Sequence, residues 1–181
     1  QGKKGIRDKT EKWDNTDYYQ LGYAYYKQKD YENAISEFNK IVGGNNSIAQ
    51  NAYYHLGESY IHLGKKQEAL NAFRNASQLD YDLKIQEDAW LNYAKISYEI
   101  GNPYQSAPQV LAGYLGKYPD TSYREEIETL LIDSYITSKN YKEAIKLLEG
   151  KKSYANKVAY QKVAFYRGLE LYNDSDYLEA E

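Results

Sequence analysis
Apolar residues recur at helical spacing along most of the chain, in blocks of about a dozen residues parted by short polar turns. The clearest block is Asn51–Asp80, NAYYHLGESYIHLGKKQEALNAFRNASQLD. Tyr53, Leu56 and Tyr60 mark one face of a first helix there, and Leu70 and Phe73 mark one face of a second. Gly64-Lys65-Lys66 is the turn between them. Helices joined by so short a turn lie antiparallel. Gly57 and Ala69 are then expected to face each other, because two minimal side chains let helix backbones approach closely.

The same layout precedes and follows this block. The pattern predicts a helix over Asp17–Gln28, with Tyr18, Leu21 and Tyr25 as its packing stripe and Gly22 as its small residue. Asp30 is the expected N-cap of Tyr31–Val42, and Gly43-Gly44-Asn45-Asn46 ends that pair. Ser47 with Gln50 reads as a capping box for the next helix. A third pair begins near Ile85, breaks at Gly101-Asn102-Pro103 and resumes through Ala107, Leu111 and Tyr114, with Pro108 early enough to be tolerated. Tyr118-Pro119-Asp120 closes it. Ser122 and Glu125 form a second expected capping box, opening Tyr123–Ser138. Asn140 starts Tyr141–Glu149, and a further helix spans about Ala155–Tyr172. Ser175-Asp176 is read as the start of one more helix that the sequence cuts short.

The small residues make the repetition quantitative. The pairs are Gly22/Ala34, Gly57/Ala69, Ala94/Ala107, Ile132/Ala144 and Gly168/Ala180, four of them twelve apart and one thirteen. Their first members recur every 35 to 38 residues. No strand pattern of comparable strength is present. This spacing resembles the tetratricopeptide repeat, a helix–turn–helix unit of about 34 residues. The likeness is strongest in DYYQLGYAYYKQKDYENAISEFNKI and in the central block. It departs later: Ile132 replaces the small residue, Arg167 stands at an apolar place, and Lys151 falls where a second helix is still expected to pack.

The resemblance implies an all-α, right-handed α-solenoid: an exposed lead-in over 1–14, then one solenoid over 15–181, with units at about 15–46, 47–81, 82–119, 120–152 and 153–181. One helix pair cannot bury its own apolar face, so units are stable only when stacked.

By the same resemblance the first helices line a concave side. The first unit supplies Thr16, Tyr19, Tyr23, Tyr26 and Lys27, and the second Asn51, Tyr54, Glu58, Ile61 and His62. The third supplies Asp88, Leu91, Lys95, Tyr98 and Glu99, and the fourth Glu126, Thr129, Asp133, Ile136 and Thr137. Lys162, Phe165, Leu169, Tyr172 and Asn173 come from the last. Tyr19, Tyr23 and Tyr26 fall at i, i+4 and i+7 and make a tyrosine stripe. Such a stripe offers flat apolar area ending in hydroxyls, suited to an extended peptide or a helix. Packing against a preceding repeat, or plain composition in a chain with 23 tyrosines, is the other reading of the stripe and is weighed somewhat above a binding groove. Tyr19 and Tyr23 stand where the chaperone-type carboxylate clamp of this family has a lysine and an asparagine, so that clamp is not expected.

Composition narrows the function. Net charge is −3, so no global basic field draws the chain to nucleic acid or anionic lipid. Lys3, Lys4, Arg7, Lys9 and Lys12 form a basic cluster, and Lys151-Lys152 a basic turn, neither interleaved with aromatics as single-strand binding requires. No apolar run reaches the roughly 18 residues that span a bilayer, and the polar start QGKKGIRDKTEKW lacks a signal-peptide core. Absent cysteines exclude thiol chemistry. There is no methionine either, and the chain reads as a piece of a longer one. Its tyrosine- and lysine-rich, cysteine-free style resembles tetratricopeptide proteins of the Bacteroidota cell envelope, which favours a periplasmic or envelope location over a cytoplasmic one.

His55, Glu58 and His62 share one helix face within roughly 60°. They match neither HExxH nor HxxEH, and solvated polar side chains beside a groove are the expected reading over a zinc site. No nucleophile elbow, phosphate loop or dinucleotide fingerprint is present. The expectation is a non-catalytic scaffold without cofactor or metal, binding a protein or peptide on Tyr19, Tyr23, Tyr26, Lys27, Tyr54, Glu58, His62, Lys95, Tyr98, Phe165 and Tyr172. The alternatives are a glycan- or ligand-binding module on the tyrosines and a structural spacer in a longer repeat protein. Self-association through open repeat ends is a further expectation.

Overall fold
Helices punctuated by tight turns make up the chain, with no strand among the described residues. The structure, a computed structural model, describes residues 12–41, 43–149, 151 and 154–179. Its helices are α1 (Asn15–Lys27), α2 (Tyr31–Phe38), α3 (Ser47–His62), α4 (Lys66–Ser77) and α5 (Leu83–Ile100), followed by α6 (Ala107–Lys117), α7 (Arg124–Thr137), α8 (Tyr141–Leu148) and α9 (Tyr154–Glu179). The chain divides into two compact units, one reaching Ile96 and the other starting at Ser97. In the first, α1 packs on α2, α3 on α4, and α3 also against both α1 and α2. In the second, α6 packs on α7, α7 on α8 and α8 on α9. The basic residues Lys3, Lys4, Arg7 and Lys9 lie outside the described residues, and Lys12 is exposed.

One backbone device turns each hairpin. Lys29, Gly64, Gly101 and Lys139 all carry positive φ, at 61°, 72°, 80° and 61°. At three of these turns the next residue donates its N–H back into the helix: Asp30 to Tyr25 O (3.0 Å), Lys65 to Tyr60 O (2.9 Å) and Asn140 to Tyr135 O (2.7 Å). The left-handed residues there bond to Tyr26 O, Ile61 O and Ile136 O, which completes a Schellman motif each time. Glycine takes this conformation freely, whereas a lysine meets its own Cβ there. Lys29 and Lys139 therefore hold a strained conformation for the sake of the hairpin.

Neither capping box expected at a helix start forms. Asn46, not Ser47, caps α3, its side chain accepting from Ala49 N at 2.9 Å. Gln50 is instead fully buried: its amide nitrogen donates to Leu79 O (2.6 Å) and Asp82 O (3.1 Å), and its oxygen accepts from Asp82 N (2.8 Å). It latches the loop after α4, because carbonyls past a helix end need a donor once buried. Ser122 and Glu125 form no box at α7; Thr121 Oγ1 accepts from Tyr123 N, and the Arg124 guanidinium reaches back to Pro119 O. Asp30 does cap α2, and Ser106 with Gln109 forms a capping box on α6 with Pro108 in its first turn. Asp14 and Asp17 box α1. α2 stops at Phe38, short of the expected end; Val42 lies outside the described residues.

The glycine contacts also differ from expectation. Ala34 and Ala69 are fully buried, but the first atoms that a Cβ on Gly22 or Gly57 would meet belong to a phenylalanine. Those atoms are Phe38 Cδ1 and Cε1 at 2.8 Å and Phe73 Cζ at 2.8 Å. Glycine here seats an aromatic ring flat against the preceding helix. Around the first contact, Phe38, Ile41, Ala52, Leu56 and Ala72 form the core, with Tyr18, Tyr19, Tyr25 and Tyr26 half-buried against it. In the second unit the corresponding cluster is Ile132, Ala144, Leu148 and Val163. Leu91, expected on the open side, is buried.

The fifth unit does not form as expected. α9 runs unbroken through Ser175, whose hydroxyl donates to Leu171 O, so no turn falls there. Gly168 lies exposed with nothing within 4 Å of its Cβ position, and Ala180 lies outside the described residues. Lys151, past the end of α8, pairs with Glu128 at 2.5 Å.

Candidate partner-binding face
The spacing of Tyr19, Tyr23 and Tyr26 on α1 sets their rings in a ladder. Tyr19 and Tyr23 lie 6.0 Å apart and 18° from parallel, Tyr23 and Tyr26 6.1 Å and 25°. Tyr23 is exposed, and the Lys27 ammonium sits 5.9 Å from its ring centroid. Tyr19 and Tyr26 are half-buried, so the stripe is not separate from the packing stripe: Tyr19 also leans on Phe38 at 5.9 Å.

α3 brings the opposing groups. His55 projects among the tyrosines, 4.8 Å from Tyr26 and 5.3 Å from Tyr23. Its side chain is only 15% exposed, which overturns the solvated reading. Glu58, one turn along, accepts from Tyr26 Oη at 2.8 Å and from His55 Nδ1 at 3.1 Å. His62 is exposed and stacks on Tyr31 at 4.3 Å and 4°, a contact that α2 contributes and the stripe alone did not suggest. Tyr54 donates to Asp88 on α5, which also accepts from Asn92 Nδ2. Lys95 is half-buried and engaged in contacts of its own.

These contacts set the protonation of the phenols. Burial first, then the Glu58 hydrogen bond and charge, push the Tyr26 hydroxyl far above its usual range. Burial, Asp88 and the charge of Glu58 do the same to Tyr54. Tyr19 is raised by burial and by Tyr23. With His55 committed to Glu58 and His62 to Tyr31, no trio of metal-ligating side chains occurs among the described residues.

In the second unit Tyr98 donates to Asp133 at 2.6 Å, a bond that raises its pKa, beside a cleft of about 480 Å³ that Pro108 and Thr137 also line. Phe165 and Tyr172 on α9 are each 64% exposed.

Residues 8–76 match the family described as anaphase-promoting complex, cyclosome, subunit 3. Comparison with curated proteins gives no match. Among solved structures, a Podosopora anserina protein described as a kinesin light chain with nearly identical TPR-like repeats is similar over 91% of each chain, at 14% identity and a TM-score of 0.54. A second structure of those repeats covers 88% of this chain and 90% of its own at 14% identity, with a TM-score of 0.53. The fold is a TPR-like α-solenoid.

TPR-like register explains the polar contacts. Tyr26 and Tyr98 stand four residues past the small position of their repeats, while Glu58 and Asp133 stand one past that of the next. The first helices of successive repeats are thus tied by phenol–carboxylate bonds over 32 and 35 residues. Ile61 breaks the series between them. Tyr54–Asp88 makes a tie of another register over 34 residues. Sequence reading missed these ties, whose signal is a tyrosine and an acid one repeat length apart. TPR-like folds generally serve as protein-interaction scaffolds, and no helix of the described residues is long and apolar enough to cross a membrane.

Proposed function
We propose that this chain is a non-catalytic scaffold that grips an extended peptide of a protein partner on the face carrying Tyr19, Tyr23, Tyr26, Lys27, Tyr54, Glu58 and His62. The observation that carries this reading is the exposed Tyr23 ring held in near-parallel register between Tyr19 and Tyr26. Rigid amphipathic rings supply contact area at low entropic cost. Phe165 and Tyr172 offer a separate aromatic surface in the second unit. Composition favours an envelope setting for this scaffold.

The test is selection of binders from a displayed random-peptide library, followed by titration of the selected peptides against wild type and Tyr19→Ala/Tyr23→Ala. Weaker binding by the variant at unchanged helical circular dichroism supports the reading. Equal binding by the variant removes it. Quenching of tyrosine fluorescence by oligosaccharides, with no peptide selected, would move the face to glycan recognition.

A further inference from the structure
The carboxylates of the first unit's open face are held by the wrong donors for a neutral surface. Glu58 takes its hydrogen bonds from a phenol and an imidazole N–H, and Asp88 from a phenol and an amide. Among the described residues no lysine or arginine pairs with either. A carboxylate has about four acceptor positions, so both keep unused ones. Asp88 receives its side-chain donors on Oδ2 alone, which leaves Oδ1 open. The reach of Glu58 is visible in its neighbours, since its charge disfavours ionisation of both Tyr26 and Tyr54.

Aromatic faces add to this. The negative face of a tyrosine ring attracts an ammonium or guanidinium within about 6 Å. Tyr23 already receives one from its own helix: Lys27, exposed and on a flexible stem, stands over it at 5.9 Å. A guest cation meets there a ring that accepts positive charge. Farther along the same face come Glu58 on α3 and Asp88 on α5, held by phenol, imidazole and amide donors and, among the described residues, by neither lysine nor arginine.

We propose that the partner segment is basic: an extended peptide presenting arginine or lysine to Tyr23, Glu58 and Asp88. This deepens the peptide-binding reading and rests on it. First helices spaced about 8–10 Å apart make the stretch from α1 to α5 about 20 Å, which about seven extended residues span. Lys27 then acts as a built-in competitor that the guest displaces.

Calorimetric titration of the full chain with a peptide of about seven alternating arginine and alanine residues tests this, with citrulline and glutamate versions as controls. Glu58→Gln/Asp88→Asn keeps acceptors for the Tyr26 and Tyr54 hydroxyls, so the fold is preserved while the charge goes. The arginine peptide should bind wild type, weaken by about three- to tenfold on the double variant, tighten on Lys27→Ala, and weaken with added salt. No binding of the arginine peptide, or an affinity indifferent to the double variant, overturns the inference. If the glutamate or citrulline peptide binds as well and loses affinity on Tyr23→Ala, the groove stands while its basic partner does not.

Discussion
Gly57→Ala isolates the contact on which the first unit's packing turns. Adding a Cβ at an unstrained mid-helix glycine normally helps by about 1 kcal/mol, through helix propensity. At Gly57 that carbon would lie 2.8 Å from Phe73 Cζ and 2.9 Å from Cδ1 and Cε1. Phe73 is 1% exposed and cannot swing aside into solvent. Overpacking of this kind costs about 1–3 kcal/mol. Gly168→Ala is the control, since that glycine is mid-helix in α9 with open space around it. Urea unfolding followed by circular dichroism should therefore show Gly168→Ala stabilised, and Gly57→Ala falling about 1–3 kcal/mol short of it. Gly57→Ala/Phe73→Leu should recover part of the loss as a favourable coupling in a double-mutant cycle. Equal stabilisation by both alanines would refute the idea that glycine here makes room for a ring.

Further outcomes are checked the same way. Lys29→Gly and Lys139→Gly relieve a left-handed conformation and should each stabilise by about 0.5–1 kcal/mol in denaturant titrations. Gln50→Leu strips the partners from Leu79 O and Asp82 N and should cost about 2–4 kcal/mol by the same measurement. Tyr26 and Tyr54 bind their protons more tightly when folded than at the ordinary value of 10.0. Their contribution is full below that pH and is lost as pH rises above it, because the unfolded chain releases protons first. Melting temperature should thus drop more steeply above pH 10 in wild type than in Tyr26→Phe/Tyr54→Phe; identical profiles would remove the two phenols from the explanation.

Most helices were legible because their signals are local: the periodic apolar stripe of α3, the Asp30 cap, Gly64 and Gly101 at turns. Lys29 and Lys139 fill the same left-handed turn position, yet their residue type conceals it and only the repeat register reveals it. Gln50 misled for the opposite reason. Its spacing from Ser47 is that of a capping box, but a glutamine on the inner face of a helix finds buried carbonyls before it finds its own N-terminus. Ser175-Asp176 carries turn-forming residues, yet α9 stays helical through Ser175. On the candidate face the tyrosine ladder followed from i, i+4, i+7 spacing alone. The burial of His55 and the bond from Tyr26 to Glu58 did not, because they depend on how α3 meets α1.

The phenol–carboxylate ties carry a mechanical consequence. Tyr26–Glu58 and Tyr54–Asp88 link α1, α3 and α5 in series along one edge of the first unit. Splaying that edge must rupture short-range directional bonds before apolar packing on the far edge is disturbed. Elasticity is therefore lopsided: flexing that closes this edge leaves the ties made, whereas flexing that opens it strains them at once.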